Sequence, residues 1–408
     1  MKVVFLNNFN YLRGGSERVL FEEMSMLETR GHEVSIFSRA HKLNIPSSQS
    51  SNFPPEMDTE RLKPSLQTLK TVKELVYSNE VRSCLSTVVD EFKPDLAHGH
   101  NIYGRLSTSA LDGLKAKGIP VVLTLHDFKL LCPNYLLLNH GQVCEKCKGG
   151  KFRNAVFSKC HKGSYLASAV YAFESWFNQT FNKYQSVSYF ISPSRFLRDK
   201  CIEYGWPADK IVHVPNFIDT DLLKSSSHAG DYLLYFGRLS HEKGVKSLMQ
   251  ALSAMKSDVP LRVVGDGPER SNLERFATEQ KLNVRFDGYL SGPQLEEAVS
   301  NAKAVVMPSE WYENAPLSLL EAFGYGKPVI GARIGGIPEM IDDGVNGYLF
   351  EPGNSDDLRT KLELFLGHSP EKIAEMGKAA REKVEKEYSA KAHYETLMQV
   401  YSLALERL

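Results

Sequence analysis

Short, densely apolar runs alternate with amphipathic stretches along the whole chain, and this rhythm restricts the possible fold more than any other feature. In the first half the runs are Val3–Leu6, Val34–Phe37, Asp95–His98, Val121–Leu125, Val187–Ile191 and Ile211–Val214. In the second they are Tyr232–Phe236, Leu261–Val264, Val284–Phe286, Ala304–Met307, Val329–Gly331 and Tyr348–Phe350. Runs this short and this apolar suit strands buried on both faces. Helical spacing falls between them, as in Ser16–Arg30, Leu317–Tyr325, Leu358–Leu366 and most of Ile373–Leu408. Alternating strands and helices predict an α/β chain with parallel sheets. At 408 residues the chain exceeds one ordinary core, which predicts two domains of about 200 residues each. The change is expected near Val214–Asp219, with Ser225–Gly230 as a polar connector. Two Rossmann-like domains, 1–215 and 216–392, would then face each other across a cleft, with ligands at the carboxyl ends of the strands.

Apolar residues make up 42% of the chain and charged residues 24%, which excludes collagenous and wholly disordered classes. No apolar run reaches the roughly 18 residues of a membrane-spanning helix, and Val3–Leu6 is too short for a signal peptide. A cytoplasmic location is the expectation. The net charge of zero hides an asymmetry, because residues 1–215 hold 27 basic and 20 acidic residues. Within 146–200 the only acids are Glu174 and Asp199, against cations that include Lys151, Arg153, Lys159 and Lys162. Such a patch is a contact for an anionic surface or acceptor, such as the inner face of a membrane, or else a solvated face or a surface that docks on the acidic half of the chain. Tyr165, Tyr171, Phe173, Trp176, Phe177, Phe181 and Tyr184 lie among these cations. They suit an interfacial helix or an aromatic core face, and for most of them the core is the expected place. The balanced total charge disfavours nucleic acid as a partner.

Three strand ends carry candidate ligand loops. Strand 232–236 runs into Gly237-Arg238-Leu239-Ser240-His241-Glu242-Lys243-Gly244. A glycine-bounded loop with a guanidinium fork and a mobile ammonium, followed by a helix N-terminus, suits a diphosphate. Strand 3–6 leads to Gly14-Gly15-Ser16-Glu17 at a helix start, where an anion can approach the backbone closely. Strand 261–264 ends in Gly265-Asp266-Gly267-Pro268, but the sixth position of the dinucleotide fingerprint is Arg270. This loop is expected to be a structural turn, and a nicotinamide enzyme is disfavoured.

Strand 304–307 is followed by Glu313 and then by Pro316, which suits the first turn of the next helix; Glu321 lies within that helix. Seven residues separate the two glutamates. On an ideal helix that is about 12 Å of rise, beyond the roughly 5–10 Å of a glycosidase pair. The two carboxylates can instead hold two hydroxyl-rich ends of one ligand. Asp219-Thr220-Asp221 is a D-x-D after the domain change and reads as a turn. Cys132, Cys144, Cys147 and Cys160 lie within one loop region. They either close a structural zinc site or remain free thiols.

These motifs together resemble the retaining nucleotide-sugar glycosyltransferases of family four, which have the GT-B fold. The resemblance spans nearly the whole chain. It rests on Gly237–Gly244, the Glu313/Glu321 pair, Val214-Pro215-Asn216 and Gly335-Gly336-Ile337-Pro338-Glu339, with Gly14–Glu17 and His126-Asp127 as further matches. It implies that Arg238 and Lys243 bind the donor diphosphate and that Glu321 holds the ribose. Glu313 and the backbone of Asn314, Ala315, Pro316 and Leu317 would hold the donor sugar. His126 would touch that sugar, Gly14 and Gly15 would pack on the phosphates, and Tyr289 and Leu290 would flank the base. The final helix, 393–408, would cross back to the first domain. The implied reaction is a metal-independent, retaining hexosyl transfer to a glycan or lipid-linked acceptor, as in cell-surface polysaccharide synthesis, with no catalytic cofactor. Two other readings are a nucleotide-sugar 2-epimerase of the same fold and a non-catalytic zinc-containing binding module.

Overall fold

The structure is a computed structural model that describes residues 1–57, 66–225, 230–255 and 258–407. Of the expected polar connector, residues 226–229 lie outside the described residues. The chain forms two compact units. The first comprises 1–140, 144–214 and 394–408; the second comprises 141–143 and 215–393.

The first unit holds the strands β1 (Lys2–Leu6), β2 (Glu33–Phe37), β3 (Leu96–Gly99) and β4 (Val121–Thr124). It also holds β5 (Leu138–Asn139), β7 (Val187–Ser192) and β8 (Ile211–His213), while β6 (Gln142–Val143) falls in the segment 141–143 that groups with the second unit. The sheet order is β2-β1-β3-β4-β7-β8, with every pairing parallel. Parallel strands are covered by helices on both faces and therefore read as continuous apolar runs. Val3 to Leu6 and Val121 to Leu123 are each 1% exposed or less.

The second unit holds β9 (Leu233–Phe236), β10 (Leu261–Val264), β11 (Val284–Gly288), β12 (Ala304–Met307), β13 (Val329–Ala332) and β14 (Gly347–Phe350). Their order, β11-β10-β9-β12-β13-β14, is the doubly wound order of a dinucleotide-binding fold. Alternate side chains feed two cores. Leu234, Phe236, Val305 and Met307 join one; Leu233, Tyr235, Ala304 and Val306 join the other. The strand order reverses between β9 and β12, and a ligand crevice opens outside the carboxyl ends of strands at such a switch point.

The last helix, Ala390–Glu406, begins in the second unit, and its residues from Tyr394 onward belong to the first. Leu397, Val400, Tyr401 and Ala404 are buried. The expectation that most aromatics of 165–184 form a core face holds for three of the seven: Tyr184 is buried, and Tyr171 and Phe177 pack half-buried against Leu75, Val76 and Val170. Tyr165, Phe173, Trp176 and Phe181 are exposed. Much of the inward side of their helix is filled by small and polar residues.

Candidate functional site: the switch point of the second sheet

The loops after β9 and β12 meet at the switch point. Glu310 N–H donates to Glu242 O at 2.9 Å, and Ser247 Oγ donates to the Glu310 carboxylate. Gly244 makes this approach possible: a Cβ there would lie 1.9 Å from Pro308 O, and its φ is +67°. The loop after β12 then delivers Glu313, which is 6% exposed. Its Oε1 accepts from Lys243 Nζ at 2.6 Å, Ser309 Oγ at 2.6 Å and Trp311 Nε1 at 3.1 Å. The Lys243 ammonium also stands 5.2 Å from the centre of the Trp311 ring. Burial pushes the Glu313 carboxyl up, but the Lys243 charge and these hydrogen bonds outweigh it and hold the group below the ordinary carboxylate value. Glu313 is thus a buried anion with one oxygen saturated by donors.

Sequence reasoning missed Ser309 and Trp311, although both sit within four residues of Glu313. It also missed what the Gly335-Gly336 motif does. Gly336 N–H donates to Glu313 O at 2.8 Å, and a Cβ on Gly335 (φ +61°) would lie 2.1 Å from that same oxygen. The two glycines clamp the Glu313 backbone. Asn216 Nδ2 donates to Ala315 O at 3.0 Å and fixes the next stretch. The Gly265–Pro268 loop, expected to be a structural turn, backs the β9 loop. Leu239 N–H donates to Asp266 O at 2.9 Å, and Glu269 N–H to Leu239 O at 3.0 Å.

Arg238 is exposed, and among the described residues no carboxylate pairs with it. Its backbone oxygen accepts from the buried Tyr235 hydroxyl at 2.7 Å. The helices after the two loops, Val245–Ser253 and Leu317–Gly324, have no side-chain cap. Their first amides are therefore available to an anion. Pro316 is the N-cap of the second of these, one residue before the first-turn position expected. Asn314, Ala315, Pro316 and Leu317 are all half-buried, as is Glu321 in the middle of the helix. Tyr289 is 77% exposed beyond the edge strand β11, whereas Leu290 packs against the core. Asp219-Thr220-Asp221 is a turn in which Asp221 N–H donates to Asp219 Oδ1 at 3.1 Å.

In the first unit the switch lies between β1 and β3. A cavity of about 450 Å³ there is lined by Arg13, Gly14, Arg105, Asp127, Lys129 and Tyr171, among others. Gly14 caps the helix Gly15–Thr29 in an extended conformation without a side-chain bond. Burial raises the Asp127 carboxyl to about 6 against the opposing pull of Lys129. His126 Nε2 lies 2.7 Å from His100 Nδ1. Burial, with the neighbouring His100, lowers His126 to about 3, so it is a neutral imidazole at physiological pH. Behind it, Glu23 Oε2 stands 3.2 Å from His100 Nε2, and His98 Nδ1 lies 2.7 Å from the Tyr401 hydroxyl. No single motif announced this buried relay, although His98 and His100 sit two apart at a strand end.

The four cysteines gather in one place, with the sulfurs of Cys132, Cys144 and Cys160 all near Cys147. Zinc–sulfur bonds of about 2.3 Å place sulfurs about 3.8 Å apart. Among the described residues, the three-ligand group within 4.8 Å is Glu23, His98 and His100, and no three of Cys132, Cys144, Cys147 and Cys160 reach that spacing. Cys132 Sγ instead donates to Asn134 Oδ1 at 2.9 Å and Cys160 Sγ to Asn139 Oδ1 at 3.7 Å. Burial, helped by the neighbouring sulfurs, pushes the Cys147 and Cys160 thiols up to about 12 and about 11. In the Glu23 group both His98 nitrogens are already hydrogen-bonded, to Tyr401 and Thr124.

Two parallel-sheet units, each with its ligand loops at a switch point, define the GT-B class of glycosyltransferase fold. The chain belongs to Glycosyltransferase Family 4, whose model matches residues 13–222; the model for glycosyl transferases group 1 matches 224–383. It is 38% identical to the sulfoquinovosyl transferase of Arabidopsis thaliana over a segment covering 38% of this chain and 30% of that protein. It is 29% identical to the lipopolysaccharide 1,2-N-acetylglucosaminetransferase of Salmonella typhimurium, covering 46% and 56%. The matched segments thus span about a third to a half of these relatives. Among solved structures, HepE of Anabaena in complex with UDP superposes with a TM-score of 0.68 at 19% identity, covering 98% of this chain and 100% of that one. No helix among the described residues is long and apolar enough to cross a membrane.

Proposed function

We propose that the protein moves a hexosyl group from a nucleoside-diphosphate sugar to a hydroxyl of a glycan or lipid-linked acceptor in cell-surface polysaccharide synthesis. The transfer retains anomeric configuration and needs no metal. It takes place in the cytoplasm, at the inner face of the membrane. The observation that carries this reading is the Lys243–Glu313 pair at the β9/β12 switch point, beside the exposed Arg238. Departure of a nucleoside diphosphate develops negative charge on its outer phosphate. A guanidinium, an ammonium and uncapped helix amides stabilise that charge without a Lewis acid. Glu321 holds the ribose hydroxyls, Tyr289 and Leu290 flank the base, and Glu313 with the Asn314–Leu317 backbone holds the sugar.

Glu313 is a poor nucleophile, because three donors already draw on Oε1. The reading is therefore front-face transfer. The bond from the anomeric carbon to the phosphate oxygen breaks, the acceptor oxygen bonds the same face of that carbon, and the acceptor proton passes to the departing phosphate. The name of the Salmonella relative, a lipopolysaccharide transferase, supports the acceptor class, and the UDP bound by HepE supports the donor class. The test is thermal stabilisation by UDP-, GDP- and ADP-sugars, followed by product analysis with and without a glycan acceptor. One nucleotide series should raise the melting temperature, since a ligand of the native state stabilises by mass action. Donor conversion without acceptor would mark an epimerase, and no stabilisation by any series would overturn the reading.

A further inference from the structure

The helix Tyr165–Thr180 carries apolar side chains on two sides. Its inward side buries Ala167, Ser168, Val170, Ala172, Glu174, Ser175 and Asn178, and Val170 packs with Leu75, Val76, Tyr171 and Phe177. The polar groups are bonded in place. Glu174 pairs with Lys129 at 2.5 Å, Asn178 Oδ1 accepts from Thr108 Oγ1 at 2.8 Å, and Ser168 Oγ accepts from His161 N–H at 3.0 Å. The outward side carries Tyr165, Leu166, Phe173 and Trp176, and Phe181 follows at the helix end. Tyr165 is 58% exposed, Phe181 57% and Phe173 49%. The rings form one patch, with Phe173 stacked on Trp176 at 5.5 Å and Trp176 edge-on to Phe181 at 6.4 Å. A surface helix of a water-soluble unit turns its apolar stripe inward. A contiguous outward apolar patch marks an interaction site.

Charge identifies the partner. Lys151, Arg153 and Lys159, on and beside the short helix that packs on Tyr165–Thr180, are exposed, and none of them has a carboxylate partner among the described residues. Lys159 Nζ stands 4.5 Å from the centre of the Tyr165 ring. Between residues 146 and 183 the one acid is Glu174, which is buried and already paired. Aromatic and aliphatic side chains on one helix face, rimmed by unpaired cations, match a bilayer interface with anionic headgroups, where rings sit at headgroup depth and cations meet phosphate.

We propose that the outward face of Tyr165–Thr180, with Phe181, docks the first unit on an anionic lipid bilayer. This specifies how the transferase reading reaches a membrane-borne acceptor, and it rests on that reading only for its purpose. The test uses no substrate, so its failure and that of the transferase reading are separable. The full chain is floated with phosphatidylcholine vesicles and with vesicles that also contain phosphatidylglycerol. Expected is co-flotation with the anionic vesicles, much weaker with the neutral ones, declining as salt rises. Phe173→Ser/Trp176→Ser and Arg153→Glu/Lys159→Glu should each lower the partition by roughly tenfold or more. Thermal melts of both variants should match wild type, because the replaced side chains are exposed. A blue shift of tryptophan emission on binding should disappear in Trp176→Phe, while its flotation persists. Absence of wild-type binding to either vesicle would overturn the proposal, as would variants that bind like wild type. Concentration-dependent dimerisation that Phe173→Ser/Trp176→Ser abolishes, without vesicle binding, would instead assign the face to a second copy of this chain.

Discussion

Lys243 Nζ and Glu313 Oε1, seventy residues apart in sequence, lie 2.6 Å from each other and tie the β9 loop to the β12 loop. The sequence assigned them different tasks, phosphate and sugar, yet in the structure each is the other's partner. Glu313→Gln would leave the Lys243 ammonium without its counter-charge in a partly desolvated place. Fully buried broken pairs cost roughly 3–5 kcal/mol. With the Lys243 side chain 23% exposed, the expected loss is about 2 kcal/mol, read as a lower denaturant midpoint at unchanged slope. The double variant Lys243→Met/Glu313→Gln should recover part of it, and strictly additive losses would show that the two groups do not interact.

Arg238 should behave in the opposite way. Its guanidinium is exposed, so Arg238→Ala is expected to leave the melting temperature unchanged. Donor affinity should fall by the roughly 1.5–3 kcal/mol of a charge-assisted hydrogen bond, about ten- to a hundredfold. Glu321→Ala should weaken donor binding through the ribose. Wild-type donor affinity in either folded variant refutes the donor assignment.

Acid should destabilise the first unit early. His126 and His161 are held low, at about 3 and about 4, in each case chiefly by burial. Unfolded histidine takes up its proton near 6.5, so below that pH the unfolded chain binds protons that the folded one refuses. Stability contributed by the neutral rings is complete above about 6.5 and is lost as pH falls towards 3. The slope of unfolding free energy against pH between 6 and 4 should become shallower by up to about one proton in His161→Phe. An unchanged slope would show that His161 titrates normally. Glu313, held below the ordinary carboxylate value, contributes its own loss at still lower pH.

Chelation separates two kinds of metal dependence. Transfer activity is expected to survive EDTA, since the cationic loop supplies the charge stabilisation at the phosphate. Elemental analysis should find far less than one zinc per chain. Rapid inactivation reversed by magnesium or manganese would contradict the first expectation, and stoichiometric zinc lost together with structure would contradict the second.

The sequence made the strands legible because strands buried on both faces carry a local, continuous apolar signal. The expected run Ala304–Met307 is β12 to the residue, and Tyr232–Phe236 differs from β9 by one. The strands Leu138–Asn139 and Gln142–Val143 were not legible, because two-residue strands leave no periodicity to read. At the site, loop chemistry exposed Arg238, Lys243 and Glu313. The partners Ser309 and Trp311 and the glycine clamp at Gly335-Gly336 depend on backbone approach, which no one-dimensional pattern encodes. The cysteines show the same limit: their spacing predicts nearness, which the structure has, but not the direction of the sulfurs. Of the aromatics of Tyr165–Thr180, Tyr171 and Phe177 reach the core as expected, whereas Tyr165, Phe173 and Trp176 lie on the opposite, exposed side, a division that aromatic content alone does not encode.

Tyr401 is fully buried and hydrogen-bonded to His98, a residue of the third strand. The first unit therefore draws part of its core from residues synthesised after the whole second unit. A nascent chain emerging from the ribosome reaches β1 to β8 with the Tyr401 position empty and the His98 Nδ1 partner missing. Domains generally fold as they emerge, amino-terminal unit first; here that unit must wait. The order of synthesis and the order of completion are inverted, and a chain halted after residue 393 would leave its earliest-made half open.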